Sequence, residues 1–282
     1  MKEHLVITLK DGRRLGYAEY GNLKGEPLFF FHGWPSCRFH GQRFEIIAKK
    51  LHIRLIAPDR PGFGNSDFKK GRTLLDWAND VIELADHLKI KSFPVLGISG
   101  GGPYAAVCAY ALSKRITKVG IVVALAPPYI KGMLDGMALQ NKLAWGFLFR
   151  FSAGRYLILF LQLIHIRYFP FLQVPVYSSK DDQKLIKPEF NKRFMLTIAE
   201  AMKQGVKGVA YDLKLYTSDL GFPLHKIKAK TYIWYGETDK NVSVNMGTYY
   251  HENIPNSELT LYPNEGHIAQ LTHAEEILST LM

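Results

Sequence analysis

Val95-Leu96-Gly97-Ile98-Ser99-Gly100-Gly101-Gly102-Pro103-Tyr104-Ala105-Ala106 is an apolar run that stops at a serine set among glycines and resumes as small residues. Val95 to Ile98 has the length and character of a buried strand, and Pro103 to Leu112 is small and apolar throughout, as a packed helix would be. A strand that becomes a helix within two or three residues bends sharply at its central residue. Glycine two positions to either side, Gly97 and Gly101, removes the side chains that would collide there. The hydroxyl of Ser99 is thereby pushed out at the strand's carboxyl end, beside the amides of a helix N-terminus. This G-x-S-x-G arrangement is the setting in which a serine acts as a nucleophile.

Outward from this turn the chain alternates. His4–Leu9 and Leu15–Tyr20 flank Asp11-Gly12 and read as a hairpin of antiparallel strands. Leu28–Phe31, Leu55–Ala57 and Val119–Leu125 are continuous apolar runs, expected of parallel strands covered on both faces. Between them Leu74–Leu88 places Leu75, Ala78, Ile82, Ala85 and Leu88 at helical spacing. The alternation resumes with strands at Tyr232–Tyr235 and Leu259–Tyr262, a helix near Met246–Asn253 and a terminal helix over about Ala274–Leu281. The pattern is that of an α/β fold, a mostly parallel sheet flanked by helices, interrupted once. The interruption, residues 129–207, holds 12 Lys or Arg and 5 Asp or Glu and is dense in aromatics. It reads as a helical cap inserted into a core made of residues 1–128 and 208–282.

Composition bounds the rest. The chain has 282 residues, 47% hydrophobic and 22% charged, which suits one large domain with an insertion and excludes small modules and low-complexity classes. A net charge of +11 permits nucleic acid, anionic lipid or acidic ligands as partners. No nucleic-acid-binding module is recognisable, so nucleic acid is not expected. Cys37 and Cys108 have no metal spacing and read as thiols in a reducing compartment. The first residues are broken too soon by Lys10–Arg14 for a secretory signal, and Arg150, Arg155, His165 and Arg167 divide the longest apolar stretch, so a cytoplasmic location without a spanning helix is expected.

A serine hydroxyl needs a base to take its proton, and the base an acid to orient it. Asp239 follows the Tyr232–Tyr235 strand and His267 follows the Leu259–Tyr262 strand, which gives the chain order Ser, Asp, His. Glu237 is the nearest substitute acid, and no carboxylate follows the Val119–Leu125 strand before Asp135. His32-Gly33-Trp34-Pro35 leaves a buried strand into a loop whose amides can face the serine. The Trp34 and Gly100 N–H groups are the expected oxyanion hole, and His32 the residue that holds the loop.

These segments, with Asp59-Arg60-Pro61-Gly62-Phe63-Gly64-Asn65-Ser66, Gly236-Glu237-Thr238-Asp239 and Gly266-His267, together resemble the α/β-hydrolase superfamily over nearly the whole core. The resemblance implies Ser99 as nucleophile, His267 as base and Asp239 as orienting acid, with a structural role for the Asp59–Ser66 turn. Ser99 in place of an aspartate disfavours epoxide opening and halide displacement. Trp34-Pro35 departs from the longer glycine run of many lipases. Gly100, where the family usually has a bulky residue, loosens that edge of the pocket.

The expected function is hydrolysis of a small or medium hydrophobic carboxylic ester through an acyl-enzyme, with no metal and no cofactor. The alternative is a ligand-binding receptor or regulatory protein on the same fold. The cap supplies Trp145, Phe147, Phe149, Phe151, Tyr156, Phe160, Tyr168, Phe169 and Phe171. Most are expected to pack against the sheet edge, with Trp34, Trp145 and Phe147 touching substrate. The cap's positive charge leaves room for contact with an anionic membrane surface.

Overall fold

The computed structural model describes residues 1–168, 179–185 and 188–282. Phe169 and Phe171 therefore lie outside the described residues. The chain runs β1 (Lys2–Thr8), β2 (Arg14–Gly21), β3 (Glu26–Phe31), α1 (Glu45–Lys50), β4 (Ile53–Pro58), α2 (Leu75–His87), β5 (Phe93–Ile98), α3 (Gly102–Ala111) and β6 (Ile116–Val122). Next come α4 (Leu139–Gly146), α5 (Ser152–Tyr168), α6 (Lys180–Leu185), α7 (Pro188–Ala201) and α8 (Lys207–Tyr216). It closes with β7 (Lys230–Gly236), α9 (Val244–Asn253), β8 (Ser257–Tyr262), α10 (Ala269–Thr272) and α11 (Ala274–Leu281).

The eight strands form one sheet in the order β1-β2-β4-β3-β5-β6-β7-β8. β1 and β2 pair antiparallel as the hairpin reading expects, β2 joins β4 antiparallel, and every other pairing is parallel. The apolar runs of β3 to β7 are explained by burial on both faces. Phe29 and Phe31 face the core that includes α2, α3, α8 and α9, whereas Leu28 and Phe30 face the core that includes α1 and α11. The strand order reverses between β3 and β5, the central pair, whose carboxyl ends carry the Trp34 loop and Ser99. Ligand sites in open α/β sheets lie at such a crevice.

Two local readings are corrected. In α2 the buried side is Trp77, Ala78, Val81, Leu84 and Ala85, while Leu75 is exposed and Ile82 half-buried. Trp77 decides the rotation, because its ring packs edge-on against Phe31 and Tyr104, and burying the largest apolar surface outweighs Leu75. β6 ends at Val122, short of the expected Leu125. Val123 takes a positive φ of 40°, and Leu125 N donates to Ser99 O at 3.1 Å, so this stretch bends toward the serine turn instead of extending the sheet.

Candidate active site

Ser99 stands at the end of β5 with φ +54°, a backbone region that L-residues seldom occupy. The neighbouring glycines are required by space. A β-carbon on Gly97 would lie 2.3 Å from Gly101 O, and one on Gly101 would lie 2.1 Å from Phe31 O. The turn is thus packed against its own helix and against the adjoining strand.

Asp239 and His267 reach the same sheet edge from the loops after β7 and β8. Asp239 is buried, and its Oδ1 accepts the N–H groups of Asn241 at 2.7 Å and Val242 at 3.0 Å. Its Oδ2 lies 2.7 Å from His267 Nδ1. With Nδ1–H donating to the carboxylate, Nε2 is the nitrogen able to take a proton. Burial disfavours the charged imidazole, but the Asp239 charge and hydrogen bond, with the Asp182 charge, outweigh it and hold the His267 pKa above its ordinary value. Glu237 is exposed beside this pair and Asp135 lies exposed elsewhere, so of the acids considered Asp239 is the one that meets the histidine.

A second carboxylate, absent from the sequence reading, also holds the histidine loop. Asp182 of α6 accepts the backbone N–H groups of His267 at 2.9 Å and Ile268 at 3.0 Å. Gly266 admits it: a β-carbon there would lie 2.4 Å from Asp182 Oδ2. Only an Asp in a charged stretch, Lys180-Asp181-Asp182, marks it in the sequence, and nothing local distinguishes that from a solvated surface.

The Trp34 loop is fixed from beneath. His32 is fully buried, donates through Nδ1 to Gly33 O at 2.9 Å and faces Arg60 N through Nε2 at 3.4 Å. Burial, and then the Arg60 charge, lowers its pKa well below the ordinary imidazole value, so it stands neutral as a structural group. His40 accepts from Gly33 N at 3.2 Å and is likewise held neutral by burial, with the Arg43 and His267 charges acting in the same direction. Arg60 donates to the carbonyls of His32 and Gly33 and pairs with the buried Asp212 of α8 at 2.6 Å. Asp212 also pairs with Arg72 and accepts from Tyr104 at 2.8 Å, and Tyr216 Oη lies 3.2 Å from its carboxylate. Burial opposes ionisation of Asp212, and the two guanidiniums overcome it, so its pKa lies below the ordinary carboxylate value.

Tyr216 completes this link by donating to Gly100 O at 2.8 Å. The expectation that Gly100 loosens the pocket edge is corrected here. A β-carbon on Gly100 would meet Tyr216 Oη at 2.7 Å and Trp34 Cβ at 2.8 Å, so the space a larger residue would take is already filled. The same construction lies 3.1 Å from Trp34 N, which puts the backbone amide of Trp34 against the turn that carries Ser99.

These elements open into a cavity of about 280 Å³ that both Ser99 and His267 line. Trp34, Leu125, Trp145 and Ile198 give it an apolar wall, with Ser36, His40 and Gln270 among its polar groups. Trp34 and Trp145, which the sequence reading names as substrate contacts, both line this cavity. Phe147 does not: it is 60% exposed and packs edge-on against Phe151, away from the cavity. The expectation that most cap aromatics pack inward is also corrected: of the seven named ones among the described residues, Phe147, Phe151, Tyr156, Phe160 and Tyr168 are exposed, and Trp145 and Phe149 are buried. Trp34 takes the inward position, ringed by those two at centroid distances of 6.1 and 5.8 Å. Among the described residues no His, Cys, Asp or Glu cluster is arranged to hold a metal ion, and no helix is long and apolar enough to cross a membrane.

A strained serine at a strand-to-helix turn, on this strand order, defines a class of proteins, and comparison with known families agrees. The family model described as alpha/beta hydrolase fold matches residues 26–274, and the chain belongs to that family. It is 26% identical to a bifunctional esterase/perhydrolase of Acinetobacter calcoaceticus, over 98% of this chain and 97% of that one. It is 32% identical to a non-heme chloroperoxidase of Streptomyces lividans, a match that spans 48% of this chain and about half, 50%, of that relative's length. Among solved structures, a bromoperoxidase from Bacillus anthracis superposes with a TM-score of 0.74 at 23% identity, over 99% of each chain. An esterase from Exiguobacterium antarcticum superposes at 0.68 with 23% identity, over 99% of this chain and 97% of that one. At these identities the structural likeness speaks for the fold.

Proposed function

We propose that this α/β hydrolase is a serine carboxylesterase acting on small or medium hydrophobic esters. The observation that carries the reading is the 2.7 Å pairing of Asp239 with His267 at a cavity that Ser99 also lines. In the reaction, Nε2 of His267 takes the Ser99 proton as Oγ attacks the ester carbonyl carbon. The carbonyl oxygen becomes an oxyanion held by the Trp34 and Gly100 amides. The tetrahedral species collapses, the imidazolium gives its proton to the departing alkoxide, and an alcohol leaves with the acyl group on Ser99. Water enters, loses a proton to His267 and attacks the acyl carbon, and the acid is released as Ser99 regains its proton. Asp239 holds the Nδ1 side of the ring through its 2.7 Å hydrogen bond and stabilises the imidazolium.

The cavity supports this substrate class. Its volume of about 280 Å³ lies just below the roughly 300–1,000 Å³ of ligand pockets, and its walls are largely apolar. The Ser36 hydroxyl is buried in that wall without a hydrogen-bond partner among the described residues, which suits one polar substituent on the acyl chain. Trp145, Gln162, His165, Met195 and Ile198 of the inserted segment wall this site in the scheme. The buried, unpaired thiols of Cys37 and Cys108 suit a reducing, cytoplasmic setting.

Fluorophosphonate labelling with p-nitrophenyl acetate and butyrate hydrolysis tests the reading. Wild type is labelled and turns over continuously, and Ser99→Ala does neither; undiminished hydrolysis by that variant would refute the assignment. Stoichiometric labelling with no sustained turnover across an ester panel would instead favour a ligand-binding protein.

A further inference from the structure

The helices α4 and α5, with the short 3-10 turn Leu148–Arg150 between them, have two apolar sides. The inner side supplies Trp145, Gln162 and His165 to the cavity wall, and Leu159 is fully buried beneath α5. The outer side presents Leu139 at 70% exposure, Phe147 at 60%, Leu157 at 59%, Phe160 at 56%, Leu143 at 55% and Leu161 at 54%. Positions 157, 160, 161 and 164 recur at three- and four-residue spacing, so they form one stripe along α5. An exposed apolar stripe on a helix whose other side is already packed calls for an apolar surface against it. Other large exposed apolar residues of the described chain, such as Met1, Ile46 and Leu261, are widely separated in sequence, whereas these share one pair of helices.

Charge selects the occupant. Residues 130–168 contain Lys131, Lys142, Arg150, Arg155 and Arg167 against one acidic residue, Asp135. Arg150 and Arg167, on either side of the stripe in sequence, are exposed, while Lys142 lies 3.7 Å from Asp135 and Arg155 donates to the Phe149 and Arg150 carbonyls. A second copy joined by two-fold symmetry would set this positive patch against itself, and like charges oppose that contact. A bilayer rich in anionic headgroups offers the opposite charge together with an apolar layer just beneath it.

We propose that the outer face of α4 and α5 docks this chain on an anionic membrane surface. Phe147, Leu157, Phe160 and Leu161 enter the headgroup–acyl boundary while Arg150 and Arg167 meet lipid phosphates. The docked orientation turns the helices that wall the cavity toward the lipid. The inference does not depend on the hydrolytic reading, because binding is measured without turnover.

Vesicle flotation of the full chain tests it. Vesicles with about 30% phosphatidylglycerol in phosphatidylcholine should retain the protein about tenfold better than phosphatidylcholine alone, and the difference should shrink between about 50 and 500 mM salt. The combined variant Leu157→Ser, Phe160→Ser, Leu161→Ser should lose about tenfold on anionic vesicles while keeping the wild-type circular dichroism and thermal midpoint. Arg150→Gln with Arg167→Gln should lose several-fold on anionic vesicles and nothing on neutral ones. Equal retention by wild type and the leucine–phenylalanine variant overturns the proposal. So does a dimer in sedimentation velocity that the variant dissolves, with no vesicle binding by wild type, which would give the face to a second copy.

Discussion

Gly100→Ala tests how rigidly the serine turn and the Trp34 loop hold one another. A β-carbon at residue 100 would sit 2.7 Å from Tyr216 Oη and 2.8 Å from Trp34 Cβ. With ordinary carbon contacts beginning at about 3.5 Å, Trp34 has to retreat by roughly 0.7 Å. Tyr216 can move aside only by weakening its hydrogen bond to Gly100 O at 2.8 Å and its contact with Asp212 at 3.2 Å. Either response shifts the amides proposed to hold the oxyanion. Losing such a donor outright costs about 10²–10³ in kcat, and a misplacement of about 1 Å costs about 10². A shift of roughly 0.7 Å should therefore lower kcat by about 10- to 10²-fold, or about 1.4–2.7 kcal/mol, with KM changed by less than about threefold. Steady-state hydrolysis of p-nitrophenyl butyrate, with Ser99→Ala as the background, reads the effect. Adding Tyr216→Phe removes the nearest obstacle and should return part of the loss. Wild-type kcat in Gly100→Ala would show that the apposition of Trp34 and Gly100 does not set the reacting geometry. A rise in KM alone would make Gly100 a wall of the pocket and no more.

Removing the Asp182 charge by Asp182→Asn takes away one of the influences that hold the His267 pKa up, so the pKa falls; the base must be neutral to act, and the acid limb of kcat/KM should move to lower pH. A pH–rate profile with an unmoved limb would count against that coupling. Asp212→Asn leaves Arg60 and Arg72 buried without their carboxylate and should cost about 3–5 kcal/mol, read as a drop in the urea midpoint. His32 and His40 are held neutral in the folded chain and protonate more easily when unfolded. Each should therefore remove about 1.4 kcal/mol of stability per pH unit below about 6.5, until its own folded pKa is reached. His267, with its raised pKa, works the other way: its contribution is full below about 6.5 and fades as pH rises through the folded value. Urea unfolding at pH 7, 6 and 5 should show a net fall toward acid, and a rise would contradict the burial of the two neutral imidazoles.

Much of this protein was legible without coordinates because the deciding constraints are local. A strand that turns into a helix within three residues has to place glycines around its bend, and Gly97 and Gly101 occupy the positions where a side chain would strike backbone. Runs buried on both faces have to be apolar throughout, which marks β3 to β7 and puts Asp239 and His267 in loops after successive strands. What stayed hidden depends on partners far along the chain. Tyr216 fills the space beside Gly100 from 116 residues away, and Asp182 grips His267 from 85. The direction in which Phe147 points and the rotation of α2 are settled by which large ring wins the enclosed volume. Sequence periodicity names a face, but the packing of neighbours decides whether that face is inside. Steric limits on a few adjacent residues are written in the sequence itself, whereas burial and charge pairing arise only when distant segments compete for the same space.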